Sequence, residues 1–339
     1  MRLDAGLGTE GDYLRGTGKT ARAAEDLGFA GLWTNETKHD AFLPLAIAAN
    51  ETERIQLGTA VAIAFSRSPM EMAQTAWDLQ DLSDGRFVLG LGTQVKAHIT
   101  RRFSMPWDRP AARLREYILA LRAIWESFQT EGPLQFEGEF YRHTLMTPFF
   151  DPGPIEHPEI PIYIAGVNTR LAALAGELCD GFHVHPFHSV EYVRQTVKPA
   201  IAEGARQADR DLEKVALATS AFVITGEDGE ETSERRESVR SQISFYASTP
   251  TYRPVLEAHG WEEVGERLGK MAREKKWREM PALITDQMLR AFAIEATPDE
   301  IGPALRERYE GLIERVALYL PFVSGKRAEF WSTVVESAR

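Results

Sequence analysis

The sequence has few of the features that mark secreted or membrane proteins. Its 339 residues include a single cysteine, Cys179, so no disulfide can form within the chain, which suits a reducing compartment. No apolar run approaches the roughly 18 to 20 residues that are needed to span a bilayer. The N-terminus shows no cationic region followed by an apolar stretch, so we expect no signal peptide. We therefore expect a cytoplasmic protein.

An excess of positive charge is also missing. The formal net charge is −11 at pH 7, and an acidic surface repels phosphate backbones and anionic lipids. We therefore expect neither nucleic acid nor a membrane as a partner. A helix N-terminus can still bind an anionic small molecule, so a small-molecule substrate and a charged cofactor remain possible.

A complete P-loop and the zinc-binding pattern H-E-x-x-H are absent as well. His183 and His185 have the spacing of ligands on one face of a strand, but no cysteine accompanies them. We expect no metal site, and we expect two of the histidines in this region to point into the mouth of the fold.

Short apolar runs alternate with longer helical patterns along most of the chain. Eight runs are predicted as strands, and seven of them are followed closely by a helix, which implies parallel pairing. Eight repeats imply a closed α/β barrel, the (β/α)₈ TIM barrel, rather than an open sheet. We predict one domain over residues 1–339. The predicted strands are residues 3–7, 31–34, 55–63, 87–91, 161–165, 181–184, 215–225 and 314–320.

Two stretches do not fit the repeat and are interpreted as loop insertions. Residues 127–160 are rich in proline, glycine and aromatics and contain the sequence FEGEFY, which predicts a small hairpin. Residues 226–313 contain several helical patterns with charged faces.

Polar residues collect at the predicted strand ends, where barrel enzymes have their active sites. Glu36 has two interpretations from the residues alone: it hydrogen-bonds a cofactor or acts as an acid or base, or it is a solvated loop carboxylate. The turn around Gly166 ends a strand and opens a helix, so its free N–H groups can bind a phosphate. The residues selected at these strand ends are Glu36, Thr93, Gln94, His98, Gly166, Val167 and Asn168.

Five ordered segments resemble a known superfamily. They are AEDLGF at 24–29, RIQLGTAV at 54–61, RSP at 67–69, LSDGRFVLGLGT at 82–93 and PIYIAG at 161–166. Together they resemble the bacterial-luciferase-like superfamily, and within it most of all the F420-dependent oxidoreductase branch. The resemblance implies a (β/α)₈ barrel with insertions that binds a flavin or deazaflavin ring at its mouth.

The resemblance also implies roles for particular residues. A non-prolyl cis peptide behind the ring would be the Ala60–Val61 bond. Glu36 replaces a histidine that relatives carry near the reactive ring face, and Val95 replaces a glutamate that serves as an acid in one relative. Since valine cannot transfer protons, that substrate chemistry is not carried over.

The remaining assignments concern the cofactor loops. Thr93, Gln94 and His98 match the loop that contacts the cofactor, and His98 would touch the ring or carry a proton. The backbone of Gly166, Val167 and Asn168 would hold the cofactor phosphate.

The sequence therefore predicts an F420-dependent oxidoreductase that transfers hydride to or from an unidentified organic substrate. Two alternatives stay open: a luciferase-like monooxygenase that uses FMN, and a non-catalytic cofactor-binding barrel. Relatives are commonly dimers, so a homodimer is expected, with the apolar helix predicted at 68–82 as a possible interface. The aromatics Phe65, Phe187 and Trp107 are expected at the mouth, where they would favour a neutral or apolar substrate.

Overall fold

The computed structural model describes residues 1–8 and 13–339. Eight parallel strands close into a barrel, so the predicted (β/α)₈ fold is confirmed. The strands of the structure are β1 (Arg2–Gly6), β2 (Gly31–Thr34), β3 (Gln56–Thr59), β4 (Ala62–Ile63), β5 (Phe87–Gly92), β6 (Phe136–Glu137), β7 (Arg142–His143), β8 (Ile162–Gly166), β9 (Gly181–Val184), β10 (Ala216–Ile224), β11 (Ala293–Glu295) and β12 (Arg315–Leu318).

The barrel strands pair in the order β1, β2, β3, β5, β8, β9, β10 and β12, and β12 returns to β1. Every link in this circle is parallel. The long third strand predicted at 55–63 is instead two short ones, β3 and β4, with Ala60 and Val61 between them. β4 pairs with β5 beyond that break.

Helices cover the outside of the barrel. α3 begins as the sequence predicts, because the side chain of Ser68 accepts a hydrogen bond from the Glu71 N–H at 3.1 Å and Pro69 occupies the first turn. The helices are α1 (Tyr13–Leu27), α2 (Leu43–Glu51), α3 (Pro69–Leu82), α4 (Lys96–Arg101), α5 (Pro110–Thr130), α6 (Thr169–Leu178), α7 (Val190–Tyr192), α8 (Lys198–Gln207), α9 (Gly229–Ala247), α10 (Arg253–Glu257), α11 (Glu262–Arg273), α12 (Asp286–Phe292), α13 (Ile301–Tyr309) and α14 (Ala328–Ala338).

The two predicted insertions contain different structures. In the first, β6 and β7 form a two-stranded antiparallel hairpin, although α5 continues to Thr130, inside the predicted insertion. The second predicted insertion, residues 226–313, holds α9 to α13, and β11 adds a short parallel strand beside the end of β10. Its last helix, α13, leads directly into β12. It is therefore the crossover helix of the final barrel repeat rather than inserted material.

A buried ion pair lies inside the barrel, at its amino-terminal end. Arg315 and Asp4 are 1% and 2% exposed, and the guanidinium donates to both carboxylate oxygens at 2.8 Å. Trp33 Nε1 donates to the same carboxylate at 2.9 Å. A Cβ at Gly58 would lie 2.4 Å from the Trp33 ring, so only glycine leaves room for this indole in the barrel interior.

The apolar face of α3 is turned inward. Trp77 is 2% exposed and packs edge-on against Phe128 of α5, with ring centroids 5.6 Å apart. The apolar pattern of this helix is therefore explained by packing within the chain, and it carries no argument for a homodimer interface. Among the described helices, none is long and apolar enough to cross a bilayer.

Candidate active site

A large cavity opens at the carboxyl ends of the barrel strands. Its volume is about 1020 Å³, at the upper end of the roughly 300 to 1,000 Å³ of typical small-molecule pockets. Residues that follow β2, β5, β8 and β9 line it, as do residues between β3 and β4. This is the end of the barrel at which enzymes of this fold place their chemistry.

Eight of the nine residues selected from the sequence line this one cavity. They come from four separate segments of the chain that the barrel brings together. They are Glu36, Ala60, Val61, Thr93, Gln94, Gly166, Val167 and Asn168.

His98 is the exception. It lies on the exposed face of α4 and is not among the described residues that line the cavity. Its position does not support the expected contact with a cofactor ring. Lys96, at the start of the same helix, lines the cavity instead.

One of the three aromatic residues expected at the mouth of the barrel lies there, and the other two do not. Trp107 lines the cavity, but Phe65 and Phe187 are 1% and 0% exposed and pack behind its wall. Both phenylalanines belong to the hydrophobic core.

Glu36 is held by a specific set of partners. One of its carboxylate oxygens accepts from the Ile63 N–H at 2.7 Å and from Arg67 Nη1 at 2.8 Å, and the other lies 2.7 Å from Arg67 Nη2. Arg67 also binds Asp40 at 2.7 Å. Burial lowers the pKa of Arg67, but its hydrogen bonds and the charges of Glu36 and Asp40 outweigh burial and raise it overall. The carboxylate therefore links β2 to the start of α3, and these contacts favour a positioning role.

The segment between β3 and β4 forms a bulge in the cavity wall. Its Ala60–Val61 peptide bond is cis, as the family resemblance implied. The Val61 carbonyl accepts from the Glu36 N–H at 3.2 Å. A Cβ at Gly92, on the neighbouring strand β5, would lie 2.6 Å from Val61 Cγ2, so glycine is required for this close approach.

The turn after β5 presents polar groups to the cavity. Gln94 adopts a left-handed conformation with φ of 58°, which is uncommon for a residue other than glycine. Its side-chain oxygen accepts from the Val95 N–H at 3.0 Å. Thr93 Oγ1 donates to the Gln94 carbonyl at 3.2 Å. These local bonds hold the turn in a defined shape at the cavity edge.

The turn after β8 is suited to an anionic group. Asn168 caps α6, and its side chain accepts from the Leu171 N–H at 3.0 Å. The other N–H groups of a first helical turn have no acceptor within their own helix and carry partial positive charge. The Tyr192 hydroxyl binds the Val167 carbonyl and fixes the turn from behind. Arg170 adds a cation to the same part of the cavity wall.

Several cavity residues were not selected from the sequence. The described part of the chain places His185, Tyr246, Tyr252 and Tyr319 together on the wall formed by β9, β12 and the second insertion. The His183–His185 spacing was the available signal for the histidine, and both histidines do line the cavity. The tyrosines at 246 and 252 lie on helical patterns that carry no such signal.

The third histidine of this region, His188, is part of the core. It is 1% exposed, and its ring nitrogens lie 2.8 Å from the His185 carbonyl and 3.1 Å from the Tyr309 hydroxyl. Burial and the charge of Arg308 lower its pKa to about 4.

The residues present fit a flavin-sized cofactor with a charged tail. Closely packed glycines at 92 and 166 bring backbone to the cavity surface, Thr93 and Gln94 offer polar groups for a ring edge, and α6 offers N–H groups for an anion. We call the residues Ala60, Val61, Thr93, Gln94, Gly166, Val167 and Asn168 the cofactor wall.

A protein-family model matches most of the chain. Residues 1–315 match the model described as luciferase-like monooxygenase. The chain belongs to this luciferase-like family. The match spans most of the barrel, including every residue of the cofactor wall.

Related sequences cover nearly the whole chain. An uncharacterized protein of Mycobacterium tuberculosis is 44% identical over 316 residues, 93% of this chain and 92% of that protein. The 5,10-methylenetetrahydromethanopterin reductase of Archaeoglobus fulgidus is 27% identical over 318 residues and 90% of each chain.

Solved structures of luciferase-like proteins share the fold. The coenzyme F420-dependent tetrahydromethanopterin reductase of Methanopyrus kandleri has a TM-score of 0.78 at 21% identity and covers 99% of this chain and 98% of its own. The oxygenating constituent of 3,6-diketocamphane monooxygenase of Pseudomonas putida, solved with FMN, has a TM-score of 0.65 at 16% identity over 99% and 97% of the two chains.

Proposed function

We propose that this luciferase-like protein is an F420-dependent oxidoreductase that acts on a small organic molecule. The observation that carries the proposal is the meeting of the cofactor wall around one cavity of about 1020 Å³. The coenzyme F420-dependent reductase of Methanopyrus kandleri, which shares this fold, and the reductase relative with 27% identity over 90% of the chain support F420 as the cofactor. A bound deazaflavin would supply two-electron hydride chemistry, and the protein would supply orientation and electrostatics.

The chain's own residues have distinct tasks in this proposal. Ala60, Val61, Thr93 and Gln94 would bind and orient the ring. The Gly166–Asn168 backbone and the first turn of α6 would hold the phosphate of the cofactor tail.

Glu36 serves as a positioning residue in this proposal. Because its oxygens bind Arg67 and the Ile63 N–H, it stabilises the segment that follows the Ala60–Val61 bulge. We expect Glu36→Gln to lower turnover with little loss of fold, since glutamine keeps one oxygen for the Ile63 N–H. Unchanged turnover would remove Glu36 from the functional site.

FMN is the competing cofactor, because the same fold holds it in the Pseudomonas putida structure. The test is a parallel titration of purified apoprotein with F420 and with FMN, followed by ligand fluorescence. Tight, saturable binding of F420 with weak binding of FMN supports the proposal. Tight binding of FMN instead would indicate a flavin monooxygenase.

Two other outcomes are informative. Binding of F420 without turnover on any reduced or oxidised substrate would favour a non-catalytic cofactor-binding barrel. Binding of neither cofactor would contradict the assignment of the cofactor wall.

A homodimer remains part of the proposal on the strength of the family resemblance alone. Light scattering on the purified protein tests it directly. A mass near that of one chain would contradict it.

A further inference from the structure

The part of the cavity facing β9, β10 and β12 differs in character from the cofactor wall. We call the residues His185, Tyr246, Tyr252 and Tyr319 the tyrosine wall. Among the described residues that line the cavity, the carboxylates, lysine and arginines are Glu36, Lys96, Arg109 and Arg170. All four come from the β2, β5 and β8 side. The tyrosine wall therefore presents hydroxyl groups and no permanent charge.

The proton of His185 can be placed by its hydrogen bonds. The Phe187 N–H donates to Nδ1 at 3.1 Å, so Nδ1 carries no proton. Burial and the nearby His188 lower the pKa of His185 to about 3, so the ring is neutral near pH 7. Its single proton is therefore on Nε2, which lies 3.1 Å from the Tyr252 hydroxyl.

This arrangement leaves the hydroxyl proton of Tyr252 free. Because the Tyr252 oxygen accepts from His185, its own O–H must donate elsewhere. That hydroxyl makes no second hydrogen bond to the described residues. The ring is fixed between His185 and Tyr246, with centroid distances of 4.6 and 5.6 Å. Burial and the neighbouring Tyr319 raise the pKa of Tyr252 to about 12, so the proton is retained near pH 7.

A second donor lies on the same wall. The Tyr246 and Tyr319 hydroxyls are 3.1 Å apart, so one donates to the other and the pair retains one further O–H proton. Two hydroxyl donors without a cation suit a neutral oxygen acceptor better than a carboxylate or a phosphate, which would require a compensating positive charge.

We propose that Tyr252, oriented by His185, donates a hydrogen bond to a neutral carbonyl or hydroxyl oxygen of the substrate. The substrate class is then an uncharged ketone, aldehyde or alcohol. The inference rests on the proposed function for the statement that this ligand is a redox substrate. The donor geometry itself depends only on the protein.

The first experiment tests the donor without any cofactor. Protein-observed NMR compares the affinity of acetophenone with that of ethylbenzene, which has a similar shape and no oxygen. Wild-type protein should prefer acetophenone, and Tyr252→Phe should reduce that preference about 3- to 10-fold, the equivalent of one hydrogen bond. Tyr141→Phe, which removes a hydroxyl bonded to Arg113 outside the cavity lining, is the matched control and should keep the preference.

The role of His185 is tested by locating its ring proton and by asking whether glutamine at this position recovers the acetophenone preference. Nitrogen-15 NMR should show His185 with a proton on Nε2 and an unprotonated Nδ1. His185→Leu should reduce the acetophenone preference, and His185→Gln should restore part of it because the glutamine amide can donate to Tyr252. Circular dichroism of each variant identifies any loss of fold.

The outcomes separate this inference from the proposed function. Equal binding of acetophenone and ethylbenzene by the wild type, or an unchanged preference in folded Tyr252→Phe, would overturn the donor assignment. F420 binding that is equal in wild type and Tyr252→Phe supports a division between the two walls. Failure to bind F420, with the acetophenone preference intact, would overturn the proposed function and leave the donor assignment standing.

Discussion

One buried histidine, His188, and two half-buried histidines of the cavity wall, His183 and His185, should make this barrel lose stability when it is acidified. Burial is the main cause that lowers the pKa of each, to about 3 for His183 and His185 and to about 4 for His188. In an unfolded chain a histidine titrates near 6.5. Below that pH the unfolded chain binds a proton at each of these positions and the folded chain does not. The free energy of unfolding therefore falls as the pH drops from 6.5 toward 4, and it is insensitive to these groups above 6.5.

The expected size of the effect follows from the same pKa values. At pH 5 each histidine is about 1.5 pH units below its unfolded pKa, which corresponds to about 2 kcal/mol. The three together give about 6 kcal/mol, with about three protons taken up on unfolding. A typical domain has a total stability of about 5 to 15 kcal/mol, so the loss should be large.

Urea unfolding followed by circular dichroism at pH 7.5, 6 and 5 measures this loss. His188→Gln should reduce the loss between pH 7.5 and 5 by about one third, because one of three titrating groups is gone. His157→Gln, which changes an exposed histidine, is the control for the replacement of a histidine by glutamine. Equal stability at pH 7.5 and 5 would refute the reasoning, as would a His188→Gln variant with the full wild-type dependence.

Three further predictions concern the barrel and its cavity. Asp4→Asn should destabilise the fold by about 3 to 5 kcal/mol, because it leaves the buried Arg315 without its counterion; thermal unfolding tests this, and a wild-type midpoint would contradict it. Arg67→Met should weaken F420 binding in the fluorescence titration, because Glu36 loses its partner; unchanged affinity would show that this ion pair does not position the cavity wall. Gly92→Val should weaken F420 binding at least 10-fold, because its Cβ would lie 2.6 Å from Val61 Cγ2; wild-type affinity would count against a binding role for this bulge.

The barrel was predictable because its strands are buried on both faces. All four residues of β2 and all six of β5 are buried, so each reads as a short continuous apolar run between turns. Periodicity could not show the break between β3 and β4, because apolar residues continue through Ala60 and Val61. The short strand β11 was missed for a related reason: three residues give no recognisable pattern.

The position of the cofactor-wall residues on the cavity was predictable because they lie in turns that directly follow strands. Each turn is local in sequence, and a glycine or a helix cap marks its position, as at Gly92 and Asn168. The contact expected of His98 is not supported, because α4 turns its side chain to the exposed side. No sequence pattern over so short a helix fixes which face is buried. Glu36 was located correctly, but its partner Arg67 is 31 residues away, and only the fold brings them together.

The tyrosine wall shows why the substrate is harder to infer than the cofactor. Its members come from three distant parts of the chain, and the Tyr252–His185 bond spans 67 residues while the Tyr246–Tyr319 bond spans 73. Two of these tyrosines belong to the insertion after β10, outside the repeating βα units. Insertions can change while the barrel and its strand-end turns are kept. A protein built in this way can retain one cofactor and alter the donors opposite it. The hydrogen bonds of Tyr252 are therefore a better guide to the substrate of this protein than the family to which its barrel belongs.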